Sequence, residues 1–377
     1  MSQKSHLNRT EPRYRHLIMR RIVAPLMTLV IIGTLSVFQH EVLFDTWDRL
    51  TQISLLSFIP LAAAAALMVI ARGAFLASCS PGLHLKQAIT ADQSALAAGY
   101  GIALGGGAVG TGMRIHMFTN WGIPHLTIAS SIIATAVFPS FTTWGLPSVL
   151  LVGPVIAGTA TSVQTLAVAV GIPLIIFSAA FWWAALRTST MFALVGRFTA
   201  LVRLVLLRRI PLRFHNVRAG VERTQPLTFS VEMRDGLVQL LKARWLHILF
   251  ASISTLTAGF ICLWTSAVVF HVEGLTFREA LVSFALVRVV IALSPIPGGT
   301  GLAELGLIAL LEKAGVSTID ATGATLLYRL LTWFLPIIVG TVCWWRYSHQ
   351  GQEKPDGTVR GNDSEFEDTS RGIRLHG

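Results

Sequence analysis

The chain has 377 residues, 53% of them hydrophobic and only 13% charged, and its mean hydropathy is +0.63. That balance excludes an ordinary soluble globular domain and predicts an all-α polytopic membrane protein. A formal net charge of +11 would point a soluble chain toward nucleic acid, but here the Lys and Arg residues lie between apolar segments, where they set topology, and no nucleic-acid partner is read from them.

In chain order, residues 1–21 are polar, with six Lys or Arg against Glu11, and read as a basic cytoplasmic N-terminus ahead of an uncleaved first span. Apolar segments near 22–38, 53–71, 126–151, 162–186, 245–271 and 321–345 each match the roughly 17 to 25 residues that cross a bilayer, giving about six spanning helices. Two further stretches, 85–123 and 276–314, are apolar but broken by glycines and carry Asp92, Arg114, Arg288 and Glu304. The linker 187–244 holds eleven Lys or Arg against Glu222, Glu232 and Asp235 and belongs in the cytoplasm, whereas the acidic loop around Glu41, Asp45 and Asp48 belongs outside. With the N-terminus and the linker both inside, 85–123 has to re-enter its own side, since a full crossing would place the basic linker outside. The second half repeats the plan upside down: 245–271 runs outward, 276–314 dips in from outside, and 321–345 returns to the cytoplasm. The expected organisation is therefore 1–21, a first transmembrane half 22–186 with its re-entrant segment, the linker 187–244, a second half 245–346, and a polar, disordered tail 347–377.

Two internal matches support the repeat. Gly106-Gly107-Ala108-Val109-Gly110 recurs as Pro297-Gly298-Gly299-Thr300-Gly301, and Thr143-Trp144-Gly145-Leu146-Pro147 recurs as Thr332-Trp333-Phe334-Leu335-Pro336 at nearly the same displacement. Duplicated units of opposite orientation are typical of secondary transporters, with the substrate held near the midplane by the ends of broken helices. Each glycine-rich break can open a new half-helix, and its free N–H groups and positive dipole end attract anions. Candidate substrate-binding residues are thus Gly110 and Arg114 in the first half, and Gly298, Gly299, Gly301, Glu304 and Arg329 in the second. Against this, the glycines could serve only close helix packing, with Arg114 a topology anchor. Glu304 is either a proton carrier or head-group ligand, or the fixed partner of Arg329, Arg288 or Arg114; Arg329, inside the last span, is the partner of choice. Asp92 and Gln93 read as interhelical hydrogen-bonding residues that could also meet substrate. Cys79, Cys262 and Cys343 read as small core residues, and His84, His116 and His125 lack metal-ligand spacing, so no catalytic residue, metal or cofactor is assigned. Trp182-Trp183 and Trp344-Trp345 read as interfacial anchors.

The run Pro297-Gly298-Gly299-Thr300-Gly301-Leu302-Ala303-Glu304, followed by Tyr328-Arg329 and Leu335-Pro336, resembles the second-half signature of the lysylphosphatidylglycerol synthase transmembrane-region family, also described as flippase-like membrane proteins. Gly110 to Arg114 is similar to the first-half counterpart. Gly106, Thr111 and Ser140 stand where that family often has proline, an acid and an arginine, so the resemblance carries over best to Glu304 and Arg329. It implies a bacterial-type inner-membrane protein without the soluble aminoacyl-transferase domain, since only a short tail follows Arg346. The expected function is translocation of a lipid or polyprenyl-linked substrate, with both termini cytoplasmic. The alternatives are an intramembrane lipid-modifying transferase, or a membrane scaffold for a lipid-modifying or glycosyl-transfer enzyme.

Overall fold

The computed structural model describes residues 54–102, 105–158, 160–187, 226–293 and 301–350. The expected span 22–38, the N-terminus 1–21, Gly298, Gly299, much of the linker and the tail lie outside the described residues. Every element among the described residues is helical: α1 (Phe58–Cys79), α2 (Leu85–Gly101), α3 (Gly106–Asn120), α4 (His125–Ile156), α5 (Ser162–Arg187), α6 (Pro226–Val269), α7 (Phe277–Leu293), α8 (Leu302–Lys313), α9 (Thr318–Arg329), a π-turn (Leu330–Phe334) and α10 (Leu335–Gln350). Five stretches are long and apolar enough to cross a membrane: Phe58–Cys79, His125–Ile156, Gln164–Ala184, Glu232–Val269 and Thr318–His349. Large apolar side chains such as Val149, Ile156, Phe177 and Phe250 stand exposed on their outer faces, an arrangement stable against lipid and not against water. The protein is an all-α, multi-pass membrane protein. Within each tryptophan pair, Trp182 and Trp344 pack inward on core clusters while Trp183 and Trp345 turn outward.

The two broken stretches fold as helical hairpins. Their arms, 17 and 15 residues in α2 and α3 and 17 and 12 in α7 and α8, each fall short of the roughly 20 residues a crossing needs. Both second arms restart from a glycine with φ +85°, Gly105 before α3 and Gly301 before α8, a conformation that costs any residue with a Cβ. The first hairpin opens beside the C-terminal end of α10, where Asn120 Nδ2 donates to the Tyr347 hydroxyl at 2.8 Å and the His116 ring lies 6.5 Å from that of Trp344. Its tip reaches halfway along the 32-residue stretch Thr318–His349, where the rings of Tyr100 and Trp333 are 6.5 Å apart. The second hairpin opens at the other end, where Phe277 packs 5.1 Å from Phe260 near the end of α6. The first turn of its second arm meets Arg329, one π-turn away from Trp333.

Helix α2 is held on three sides by contacts that leave no space for a side chain. A methyl group built on Gly73 of α1 would overlap the Ile89 side chain; one on Gly106 or Gly110 of α3 would overlap the Ala98 or Ala95 carbonyl oxygen; one on Gly340 of α10 would overlap the Gln93 carbonyl oxygen. Gly106 and Gly110 are four residues apart and present one small-residue face to α2, the usual means of bringing helices into close contact where lipid gives no hydrophobic drive. Gly107, one residue along, points to open space. Gly340→Ala and Gly110→Ala are each expected to lower stability by about 1–3 kcal/mol through overpacking, while Gly107→Ala leaves it unchanged. Thermal unfolding of the purified protein in detergent checks the contrast.

Candidate functional site: an interhelical cavity with surplus positive charge

The close approach of α1, α2 and α3 brings three ionised side chains together. Asp92, with its side chain 7% exposed, accepts from Arg72 of α1 through Nε at 2.9 Å and Nη2 at 3.4 Å, and from Arg114 of α3 through Nη2 at 3.2 Å. Arg72 follows from Gly73 pressed on Ile89, one turn before Asp92, and Arg114 lies one turn beyond Gly110 on the face that touches α2. The packing thus fixes the charge cluster. Arg114 also donates from Nη1 to the Thr135 hydroxyl at 3.4 Å, and its buried Nε has no hydrogen-bond partner.

These residues form one wall of a cavity of about 280 Å³. Arg288 of α7 completes the positive lining from the second half of the chain. Its Nη2 reaches the Thr143 hydroxyl at 3.5 Å, its guanidinium lies 5.8 Å from the Phe284 ring centre, and its buried Nε has no hydrogen-bond partner. Among the described residues no carboxylate lies within ion-pair distance of Arg288. The cavity lies inside the bundle, between the first hairpin's tip and the end where that hairpin opens: Asp92 and Arg114 stand midway along α2 and α3, and Leu76, Ile132 and Thr135 line it beside the more central Pro139 and Thr142. Three guanidiniums and one carboxylate therefore line one cavity, an arrangement that an entering anion would neutralise through charge-assisted, bidentate hydrogen bonds. Hydroxyls of Thr111, Ser252 and Thr255 add polar contacts, and Met68, Leu76 and Leu256 supply an apolar wall.

The second charge cluster is closed. Arg329 donates from Nε to Glu304 Oε1 at 2.6 Å, and the other carboxylate oxygen, Oε2, accepts the backbone N–H of Gly301 at 2.7 Å. The anion position at the start of α8 is thus filled by the chain's own Glu304, three residues in, with favourable charge on the helix dipole. The Arg329 guanidinium lies 6.0 Å from the Trp333 ring, which faces Tyr100 at the first hairpin's tip. Glu304 and Arg329 are brought together as the sequence pairs them, and Gly301 joins them through its backbone N–H. Gly110 and Arg114 stand apart from them, and Arg114, eight residues into α3, is about 12 Å from the start of its helix at 1.5 Å per residue. The sequence reading missed Arg72, treated Arg288 only as a possible partner of Glu304, and gave Asp92 a minor part. The available signal was two ionised residues of opposite sign, Asp92 and Arg114, inside one broken apolar stretch, with Arg72 just past the preceding apolar segment.

A family model for the lysylphosphatidylglycerol synthase TM region matches residues 102–340, well over half of the chain. The chain belongs to that family. Comparison with curated proteins and with solved structures returned no match. Membership in the lysylphosphatidylglycerol synthase transmembrane-region family ties the chain to membrane lipid metabolism or translocation. The matched segment contains Arg114, Arg288, Glu304 and Arg329, whereas Arg72 and Asp92 precede it.

Asp92→Asn removes the carboxylate that pairs with both Arg72 and Arg114. The expected cost is about 3 kcal/mol, because breaking a buried pair leaves charge uncompensated. Arg72→Gln on top of Asp92→Asn is expected to cost less than the sum of the two single changes, with a coupling of about 1–3 kcal/mol. Additive losses in thermal unfolding would separate the residues.

Proposed function

We propose that this protein is a flippase-like translocator of a lipid or lipid-linked substrate in a bacterial-type inner membrane, holding an anionic head group in the cavity of Arg72, Arg114 and Arg288. The observation that carries this reading is the surplus of two positive charges in a cavity walled by helices of both halves of the chain. Ionisable groups inside a membrane bundle are expensive and are retained for a task. A head group held there sits between elements of the two halves, whose relative movement would expose it to either face in alternating access.

In this reading the two hairpins are re-entrant and form an inverted pair, entering from opposite faces and converging at Trp333. The orientation follows the charges. Lys86, Arg187, Arg234, Lys242, Arg244 and Arg346 gather at the end where the first hairpin opens, and Glu273, Glu279, Glu312 and Asp320 mark the other, which suits cytoplasmic N- and C-termini. Backbone breaks at membrane depth need protein around them, and the end of α2 and the first turn of α8 lie against Trp333 and Arg329. Glu304 and Arg329 act as the brace between the second tip and the last span, which opens and recloses as the cavity changes face. An enzyme that makes or consumes the lipid head group is the functional partner this role calls for.

The test is lipid transfer across proteoliposomes holding the purified chain. Arg288→Gln and Arg114→Gln are each expected to slow transfer about tenfold through loss of one charge-assisted contact, and Glu304→Gln and Arg329→Ala to slow it by a similar factor. Wild-type rates in both cavity variants would remove the cavity from the mechanism, and wild-type rates in Glu304→Gln and Arg329→Ala would remove the brace.

A further inference from the structure

The donors left open in the cavity say more than that an anion fits. Arg72 spends two of its nitrogens on both oxygens of Asp92. Arg114 has one contact to the same carboxylate at 3.2 Å, one to Thr135 at 3.4 Å, and a buried Nε without a partner. Arg288 has Thr143 at 3.5 Å and again a buried Nε without a partner. Two guanidinium forks therefore have capacity to spare, and two positive charges have no counter-charge. An Arg fork takes two oxygens, so two forks suit a group offering three free oxygens and two negative charges better than one offering two oxygens and one charge. A terminal phosphate is the former, with three acceptor oxygens and a charge near −2 at neutral pH. A phosphodiester is the latter.

An added amine fares worse. Both Asp92 oxygens already receive donors, and Glu304 is occupied by Arg329 and the Gly301 N–H, so among the described residues a head-group ammonium finds no open carboxylate at either cluster. The remaining wall, with Met68, Phe75, Leu76, Ile132 and Leu256, suits an apolar tail next to a compact head.

Resting on the anionic-head-group reading above, we infer that the cavity selects lipids whose head group ends in a phosphate dianion, a phosphomonoester or diphosphate, over phosphodiester lipids and over aminoacylated ones. The charged groups lining the cavity are Arg72 on α1, Asp92 on α2, Arg114 on α3 and Arg288 on α7, with Cys79, Tyr100 and Tyr328 near the arginines but outside the lining. Helices α4 and α6 contribute Thr135, Thr142, Ser252 and Thr255 to the cavity.

The experiment measures binding of short-chain phosphatidic acid, phosphatidylglycerol, an aminoacylated phosphatidylglycerol and inorganic phosphate to the purified full chain between pH 5.5 and 8. At pH 8 phosphatidic acid is expected to bind at least about tenfold tighter than either phosphodiester. A phosphomonoester loses its second charge below about pH 6, so the advantage shrinks toward pH 5.5 while phosphatidylglycerol binding stays flat. Arg288→Gln is expected to erase most of the advantage. Equal affinities for phosphatidic acid and phosphatidylglycerol at pH 8, or parallel pH trends for the two, overturn the inference, because a shared trend belongs to the protein and not to the ligand. Inorganic phosphate binding as tightly as phosphatidic acid overturns the lipid assignment. The outcome is separable from the transport reading: a dianion preference without lipid transfer sinks the translocator and leaves the selectivity standing, whereas transfer without the preference does the reverse.

Discussion

The arrangement depends on the backbone-close packing of α2. This helix carries Asp92 and is gripped by Gly73, by Gly106 and Gly110, and by Gly340 on three different helices. In a bilayer the hydrophobic effect does not press helices together, so contact area and interhelical polar bonds have to do so, and both increase when backbones approach closely. Here they coincide. Gly73 sets Arg72, Gly110 sets Arg114, and Gly340 locks Gln93, the residue after Asp92. The same contacts that pack the first hairpin into the bundle also determine where its charges stand.

The two charge clusters differ in kind. At the second hairpin, each Glu304 oxygen has a donor, and the acid caps its own helix, so the group is satisfied without any ligand. At the first, two guanidiniums share one carboxylate, the third, Arg288, stands without one among the described residues, and two buried Nε atoms lack partners. Uncompensated charge in a low-dielectric setting is costly unless something pairs with it. The closed cluster suits a structural brace that opens during movement, and the open one suits a place where a ligand supplies the missing negative charge. The sequence alone weights them the other way, because the glycine-proline run before Glu304 is the more conspicuous motif.

Hydropathy is enough to find five of the spans, since stretches such as Gln164–Ala184 are apolar on every face and need no tertiary context. The breaks at Gly105 and Gly301 are legible for a similar reason: a glycine run at membrane depth has few uses besides ending one helix and opening another. The pairing of Glu304 with Arg329 follows from there being few charges in the second half. Arg72 is not legible, because it falls one residue past the apolar segment 53–71 and reads as a boundary, whereas the helix continues to Cys79 and places it inside. Arg288 escapes because its cavity is assembled from α1, α2, α3, α4, α6 and α7, a juxtaposition that no local pattern encodes. The role of Gly110 also shifts: within α3 and against Ala95, it serves helix contact, while the left-handed turn belongs to Gly105.

The central claim, that two hairpins enter from opposite faces and bring their tips together at mid-depth, is tested most directly by site-directed labelling in intact cells. Single cysteines at Asn120 and Lys313, in a chain whose own cysteines are replaced, would be probed with a membrane-impermeant thiol reagent before and after permeabilisation. The expected result is that Lys313→Cys reacts from outside in intact cells and Asn120→Cys reacts only once the cytoplasmic face is opened. Labelling of both positions from one face would contradict the account.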